Sequence, residues 1–161
     1  MSEGSKSESA AEAAGLVRRC KVAALGTVRG GAPSVSMVPY AIVDSPFAFV
    51  VLVSALAAHT KDLHASGVVG LMVMEPESGA QPVHALPRVS IQGKAEPIVQ
   101  DDPRYAAVRA AYSARFPDMT NLFYLRDFIF FSIVPTEVRV VTGFAQAASI
   151  SAEALERALQ P

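Results

Sequence analysis

The run Phe47-Ala-Phe-Val-Val-Leu-Val53, followed by Ser54-Ala-Leu-Ala-Ala-His-Thr-Lys-Asp-Leu63, decides how this chain is read. Seven consecutive apolar residues, rich in valine and phenylalanine, are too few for a spanning helix. They have the composition of a strand buried on both faces. The segment from His59 to Ser66 then reads as a short helix. His59, Thr60 and Lys61 gather where that helix begins. Free backbone N–H groups and the positive end of the helix dipole suit a phosphate there. An ordinary helix start with a surface lysine has the same sequence, so the residues alone leave both readings open.

Working outward, short strands recur at hairpin spacing: Lys21–Thr27, Pro33–Val43, Phe47–Val53, Val68–Met74 and Arg88–Val99. Arg29-Gly30-Gly31 and Asp44-Ser45-Pro46 are turn signals between the first three. Pro39 within the second strand implies an edge, bend or bulge. Glu75–Pro87 is a loop. Asp127–Val134 and Glu137–Val141 read as two strands around Pro135, and Gly143–Ile150 as a final one. Helices are expected at Ser9–Arg19, Pro103–Phe116 and Ser151–Leu159. The order has too few helices between strands for a doubly wound α/β fold. It predicts a mainly β domain, a closed or nearly closed antiparallel barrel with peripheral helices. Residues 1–8 are expected to be a disordered tail, 9–150 the barrel domain and 151–161 a C-terminal helix.

Composition narrows the function. Fourteen basic and fifteen acidic residues give a net charge of −1, no footprint for nucleic acid or an anionic membrane. One cysteine, Cys20, excludes an internal disulfide. Met1–Ala14 lacks the apolar segment of a secretory signal, so a cytoplasmic location is expected. The chain is 51% hydrophobic and 18% charged. That excess points to a second buried surface, most simply a homodimer interface.

Common catalytic patterns are missing. Gly26-Thr-Val-Arg-Gly-Gly31 lies between two strands and is a turn, not a dinucleotide fingerprint. His59 and His64 stand five apart, about 140° around a helix, and do not form a metal pair. Ser34 and Ser36 share a strand face, but no nucleophile elbow is present. Arg88 opens a strand, and Arg139 sits within a valine-rich one. A half-buried arginine needs an anionic partner, for which a phosphate, a carboxylate, Asp127 or Glu137 would serve.

Several blocks resemble the pyridoxamine 5′-phosphate oxidase-like, FMN-binding split-barrel family. They are Leu25-Gly-Thr, Gly31-Ala-Pro-Ser-Val-Ser-Met-Val-Pro-Tyr-Ala41 and Ser54–Leu63. Leu86-Pro-Arg-Val-Ser-Ile-Gln-Gly93, Asp127–Pro135 and Val138–Phe144 are similar to its haem-utilisation (HugZ-like) branch. The resemblance spans roughly Val22 to Ala147. It implies a six-stranded split β-barrel, homodimeric, with FMN at the subunit interface and an oxidoreductase activity on a small molecule. Ser36, Met37, Val38 and Pro39 would lie along the flavin. Ser54, His59, Thr60 and Lys61 would hold ribityl and phosphate groups. Arg88 and Ser90 would approach the ring, with Tyr40 and Phe144 as further ring neighbours. The family's pyridoxamine-phosphate reaction is not implied: Ser36 stands where an arginine is expected, and no histidine follows His84. Two alternatives remain: a haem-binding or haem-processing protein on the same barrel, and a non-catalytic dimeric binding module.

Overall fold

The structure, a computed structural model, describes residues 3–143 and 146–160. Seven strands form one antiparallel sheet: β1 (Val22–Arg29), β2 (Ala32–Asp44), β3 (Phe47–Ser54), β4 (Val68–Met74), β5 (Arg88–Ile98), β6 (Phe128–Gly143) and β7 (Gln146–Ile150). Their order is β3-β2-β1-β4-β5-β6-β7, and β3 also pairs with β6. That last pairing, from Phe49↔Ile133 to Ser54↔Phe128, closes the first six strands into a ring. The far half of β6 turns instead to β7, from Val138↔Ile150 onward. One edge of the long β6 therefore serves two partners, β3 and β7, and the expected six-stranded barrel is present with β7 appended.

Among the described residues four α-helices surround it: α1 (Glu3–Arg19), α2 (Ala58–Ser66), α3 (Tyr105–Arg115) and α4 (Ala152–Leu159). α1 packs on α4, β5, β6 and β7, whereas α2 packs on β1, β2 and β5. The inward residues of the strands meet α1 and α4 in one core around Leu25, Tyr40, Phe49, Leu71, Ile91 and Phe131. A second core lies outside the ring, where α3 covers Ala41, Val50, Leu52 and Phe130. This is why β3 is buried on both faces, as its composition predicts.

Two expectations are corrected. α1 begins at Glu3, so most of the stretch read as a disordered tail is helical; Ser9 Oγ donates to the Ser5 carbonyl 3.0 Å away within it. The Ala- and Glu-rich sequence from Glu8 to Ala14 has good helix propensity, and buried Ala10, Ala13 and Leu16 dock the helix onto the barrel. The second correction is at Pro135. The two strands expected around it are one, because the register shifts between Gln92 and Gly93 and places the proline at the resulting irregularity. Proline has no N–H to contribute, and a bulge needs none there. Gly93 is required at this crossing: a Cβ on it would lie 2.7 Å from the Val134 carbonyl oxygen.

Candidate functional site

The helix start that suits a phosphate on sequence is already occupied by the chain itself. Thr60 is 1% exposed, and its hydroxyl donates to the Ser54 carbonyl at 2.6 Å. Ser54 Oγ donates to Asp127 at 2.9 Å and accepts from the Leu56 N–H at 3.2 Å. The Ala55 N–H donates to the Asp127 carbonyl. These bonds fold residues 54–60 tightly between β3 and α2. The hydroxyls expected to hold ribityl and phosphate are satisfied internally, and Thr60 is shut off from solvent. Only Lys61 of that group is exposed.

Asp62 is also engaged. Arg29 donates to both its oxygens, Nε and Nη2 each at 3.0 Å, and Thr27 Oγ1 adds a bond at 2.9 Å. The Arg29 hydrogen bonds hold the Asp62 carboxyl below its ordinary value; burial opposes this and Thr27 reinforces it. His59 lies half-buried beside the pair. Burial lowers its pKa, with Asp62 opposing and Arg29 adding to the shift. A depressed carboxyl stabilises the fold above its unfolded pKa of about 3.9 and loses that contribution as pH falls through its folded value. The stability gap between the wild type and Asp62→Asn should therefore be steady near neutrality and shrink on acidification below about pH 4. Urea titrations of both proteins across that range check this; a gap that widens in acid contradicts it.

The second strand shows the limit of assigning a whole segment to one ligand. Successive side chains alternate between faces. Val38 is in the core at 2% exposure, while Met37 is 63% exposed on the outside. Pro39 is half-buried on that outer face, and Ser36 points inward, its buried Oγ without a hydrogen-bond partner. So the side chains of Ser36, Met37, Val38 and Pro39 divide between the two faces of the strand. Tyr40 is also corrected: it is wholly buried, its hydroxyl 2.8 Å from the Val17 and Cys20 carbonyls. Burial pushes its pKa up, and Arg115 lies over its ring at 5.1 Å. It is a core anchor for the end of α1, not a ring neighbour of a ligand. Phe144 lies outside the described residues.

The outer face of β2, β1 and β4 is apolar and uncovered. Met37, Ala24 and Met72 form one row across the three strands, and Val35, Gly26 and Gly70 form the next. Val22, Val28, Val68 and Met74 extend it, each more than a third exposed. The row through Met72 continues to Ser90 on β5 and Arg139 on β6. Arg139 is exposed rather than half-buried, and no ion pair to Asp127 or Glu137 forms among the described residues. Arg88 is half-buried, its Nη1 donating to the Leu86 carbonyl at 3.0 Å. The face thus changes from apolar on β2, β1 and β4 to cationic and polar on β5 and β6. Sequence reasoning found the apolar excess but not its place. The alternation Val22, Ala24, Gly26, Val28 with Val68, Gly70, Met72, Met74 carries that signal, because the intervening residues are the buried ones.

A separate cleft of about 310 Å³ lies beside the second core. Its floor is Leu52 and Phe130, 6% and 2% exposed. Tyr105 and Phe123 flank it, their rings 5.9 and 5.5 Å from that of Phe130. His64 and Arg126 stand in its wall. No group of three or more potential metal-ligating side chains occurs among the described residues, and none of their helices is long and apolar enough to cross a membrane.

A closed antiparallel barrel, with one edge of β6 shared between β3 and β7 and an uncovered apolar face, defines the class of a split-barrel domain. The pyridoxamine 5′-phosphate oxidase family profile matches residues 9–142, and the chain belongs to that family. Within it the chain sits in the haem-utilisation branch. It is 31% identical over 126 residues to heme oxygenase HutZ of Vibrio cholerae, spanning 78% of this chain and 70% of that protein. It is 36% identical over 119 residues to the chloroplastic non-canonical heme oxygenase HOZ of Arabidopsis thaliana, covering 73% of this chain but 34% of that longer protein. Among solved structures, a heme binding protein from Mycobacterium smegmatis superposes with a TM-score of 0.82 at 27% identity, covering 92% of this chain and 60% of that one. These relatives overturn the expectation of an FMN-dependent oxidoreductase.

Proposed function

We propose that this chain binds haem and acts as a homodimer assembled through the outer face of β2, β1 and β4. The observation that carries the ligand is the 31% identity to a heme oxygenase across 78% of the chain. The residues fit such a group. A macrocycle needs an apolar slot, its propionates need cations, and its iron needs a nitrogen or sulfur ligand. The outer face offers exposed valines and methionines on β2, β1 and β4, with Arg88 and Arg139 on the strands beside them. When bound, haem would supply an iron centre able to take oxygen and electrons. The protein's contribution is orientation and exclusion of water.

The dimer rests on the exposed face. A contiguous row of valines and methionines on a small domain marks an interaction surface. Self-association would bury it twice through one two-fold axis.

Titrating hemin into the purified chain should develop a Soret band that saturates at a fixed stoichiometry. FMN under the same conditions should leave its own spectrum and fluorescence unchanged. A hemin titration indistinguishable from hemin in buffer contradicts the proposal.

A further inference from the structure

We propose that Met37, with Met72 and Met74 beside it, is a sulfoxidation site, and that its oxidation by a peroxide opens the dimer while leaving the subunit folded. The inference rests on the dimer reading above and adds a chemical switch to that face.

The sequence holds five methionines, and three of them share the outer face. Ala24 of β1 pairs with Met37 on one side and with Met72 on the other. Met74 lies two residues beyond Met72 and points the same way. The three therefore fall within a patch of about 10 Å by 7 Å, two strand spacings by one two-residue step. Each is more than a third exposed on the subunit, whereas the alternating neighbours Val38, Leu71 and Val73 are core residues. The thioethers thus belong to the face and not to the interior. Met119 is half-buried among residues 117–124, and Met1 lies outside the described residues.

Hydrogen peroxide transfers one oxygen atom to a methionine sulfur. An S–O bond forms, the O–O bond breaks, the sulfur gives up two electrons and water leaves. The product is a polar side chain whose oxygen must be desolvated when the seam closes. What that oxygen meets separates the three positions. Met72 stands opposite Ser90, and Met74 opposite Arg88, across the β4–β5 pairing, and both partners carry donors. Met37 stands opposite Ala24, with Val35 and Pro39 on either side of it along the same face of β2. No side chain there donates. A two-fold axis places two copies of the Met37 sulfoxide in one seam. At about tenfold for each buried unpaired oxygen, association should weaken roughly 100-fold. The other oxidisable group, Cys20, is half-buried, and burial raises its thiol pKa, so the reactive thiolate is scarce.

The test treats the full chain with hydrogen peroxide and follows it by peptide mass spectrometry, sedimentation velocity and circular dichroism. Oxygen should be added at Met37, Met72 and Met74, and the dimer should become a monomer with its circular dichroism unchanged. Methionine sulfoxide reductases should restore the dimer without any change of sequence. The seam shields the three thioethers, so their oxidation should slow as protein concentration rises, while that of Met119 should not. Met37→Leu, close in volume and unable to form a sulfoxide, should hold most of its dimer through the same treatment. A wild type that carries all three sulfoxides and stays dimeric overturns the inference and leaves the dimer reading intact. So does a Met37→Leu protein that dissociates under peroxide as fully as the wild type, a wild type whose three thioethers resist peroxide, or one that unfolds on oxidation. An untreated wild type that sediments as a monomer overturns both.

Discussion

Replacing Phe131 with alanine should lower the unfolding free energy by about 3–5 kcal/mol. Phe131 is completely buried. It lies in the half of β6 that pairs on one side with β3, opposite Val51, and on the other with β5, opposite Pro97. That double pairing closes the ring. The backbone there is held on both edges and cannot collapse to fill the space left by the ring. The cost should therefore lie toward the cavity-forming end of the range for such truncations. Domains of this size are stable by about 5–15 kcal/mol in total, so the variant should fold only marginally. Urea denaturation followed by circular dichroism measures the effect. A loss under about 1 kcal/mol would contradict the place given to this ring. His64 should also lose its edge contact with that ring.

The second large effect concerns assembly. Met37→Asp should convert the proposed dimer to a monomer without unfolding it. Met37 is 63% exposed on the isolated subunit, so its own core owes it little. A two-fold axis would bring two copies of the new carboxylate into one apolar seam. Each buried unpaired charge costs about 3–5 kcal/mol, enough to shift a dimer constant by more than 100-fold. Sedimentation velocity on both proteins reads the outcome. A wild type that sediments as a monomer, or a variant that stays dimeric, contradicts the role of this face. The Gly26–Gly70 pair at its centre offers a milder control. A Cβ at either would meet nothing closer than 3.6 Å within the subunit.

Much of the barrel is legible in the sequence. The alternation of Val68–Met74 marks β4 at both ends, and the seven apolar residues of Phe47–Val53 mark a strand covered on both faces. Those signals are local, and local patterning survives into the fold. What failed was non-local. Pro135 reads as a break because the glycine that accommodates it, Gly93, is 42 residues earlier in the chain. The hydrogen-bond partners of the candidate-site oxygens are non-local in the same way. Sequence shows that Ser54, Thr60 and Asp62 carry oxygens, but not which groups claim them. The partners are Asp127, the Ser54 carbonyl and Arg29. Tyr40 is likewise claimed by carbonyls at the end of α1. One spacing argument carries through. His59 and His64 do not share a helix face, and the structure sends the first to the Arg29–Asp62 pair and the second to the aromatic cleft.

The most direct test of haem binding by this split barrel is native mass spectrometry of the chain offered equimolar hemin and FMN together. The account predicts a dimer mass carrying haem and no FMN. A flavin adduct, or a protein that leaves both additives unbound, would contradict it.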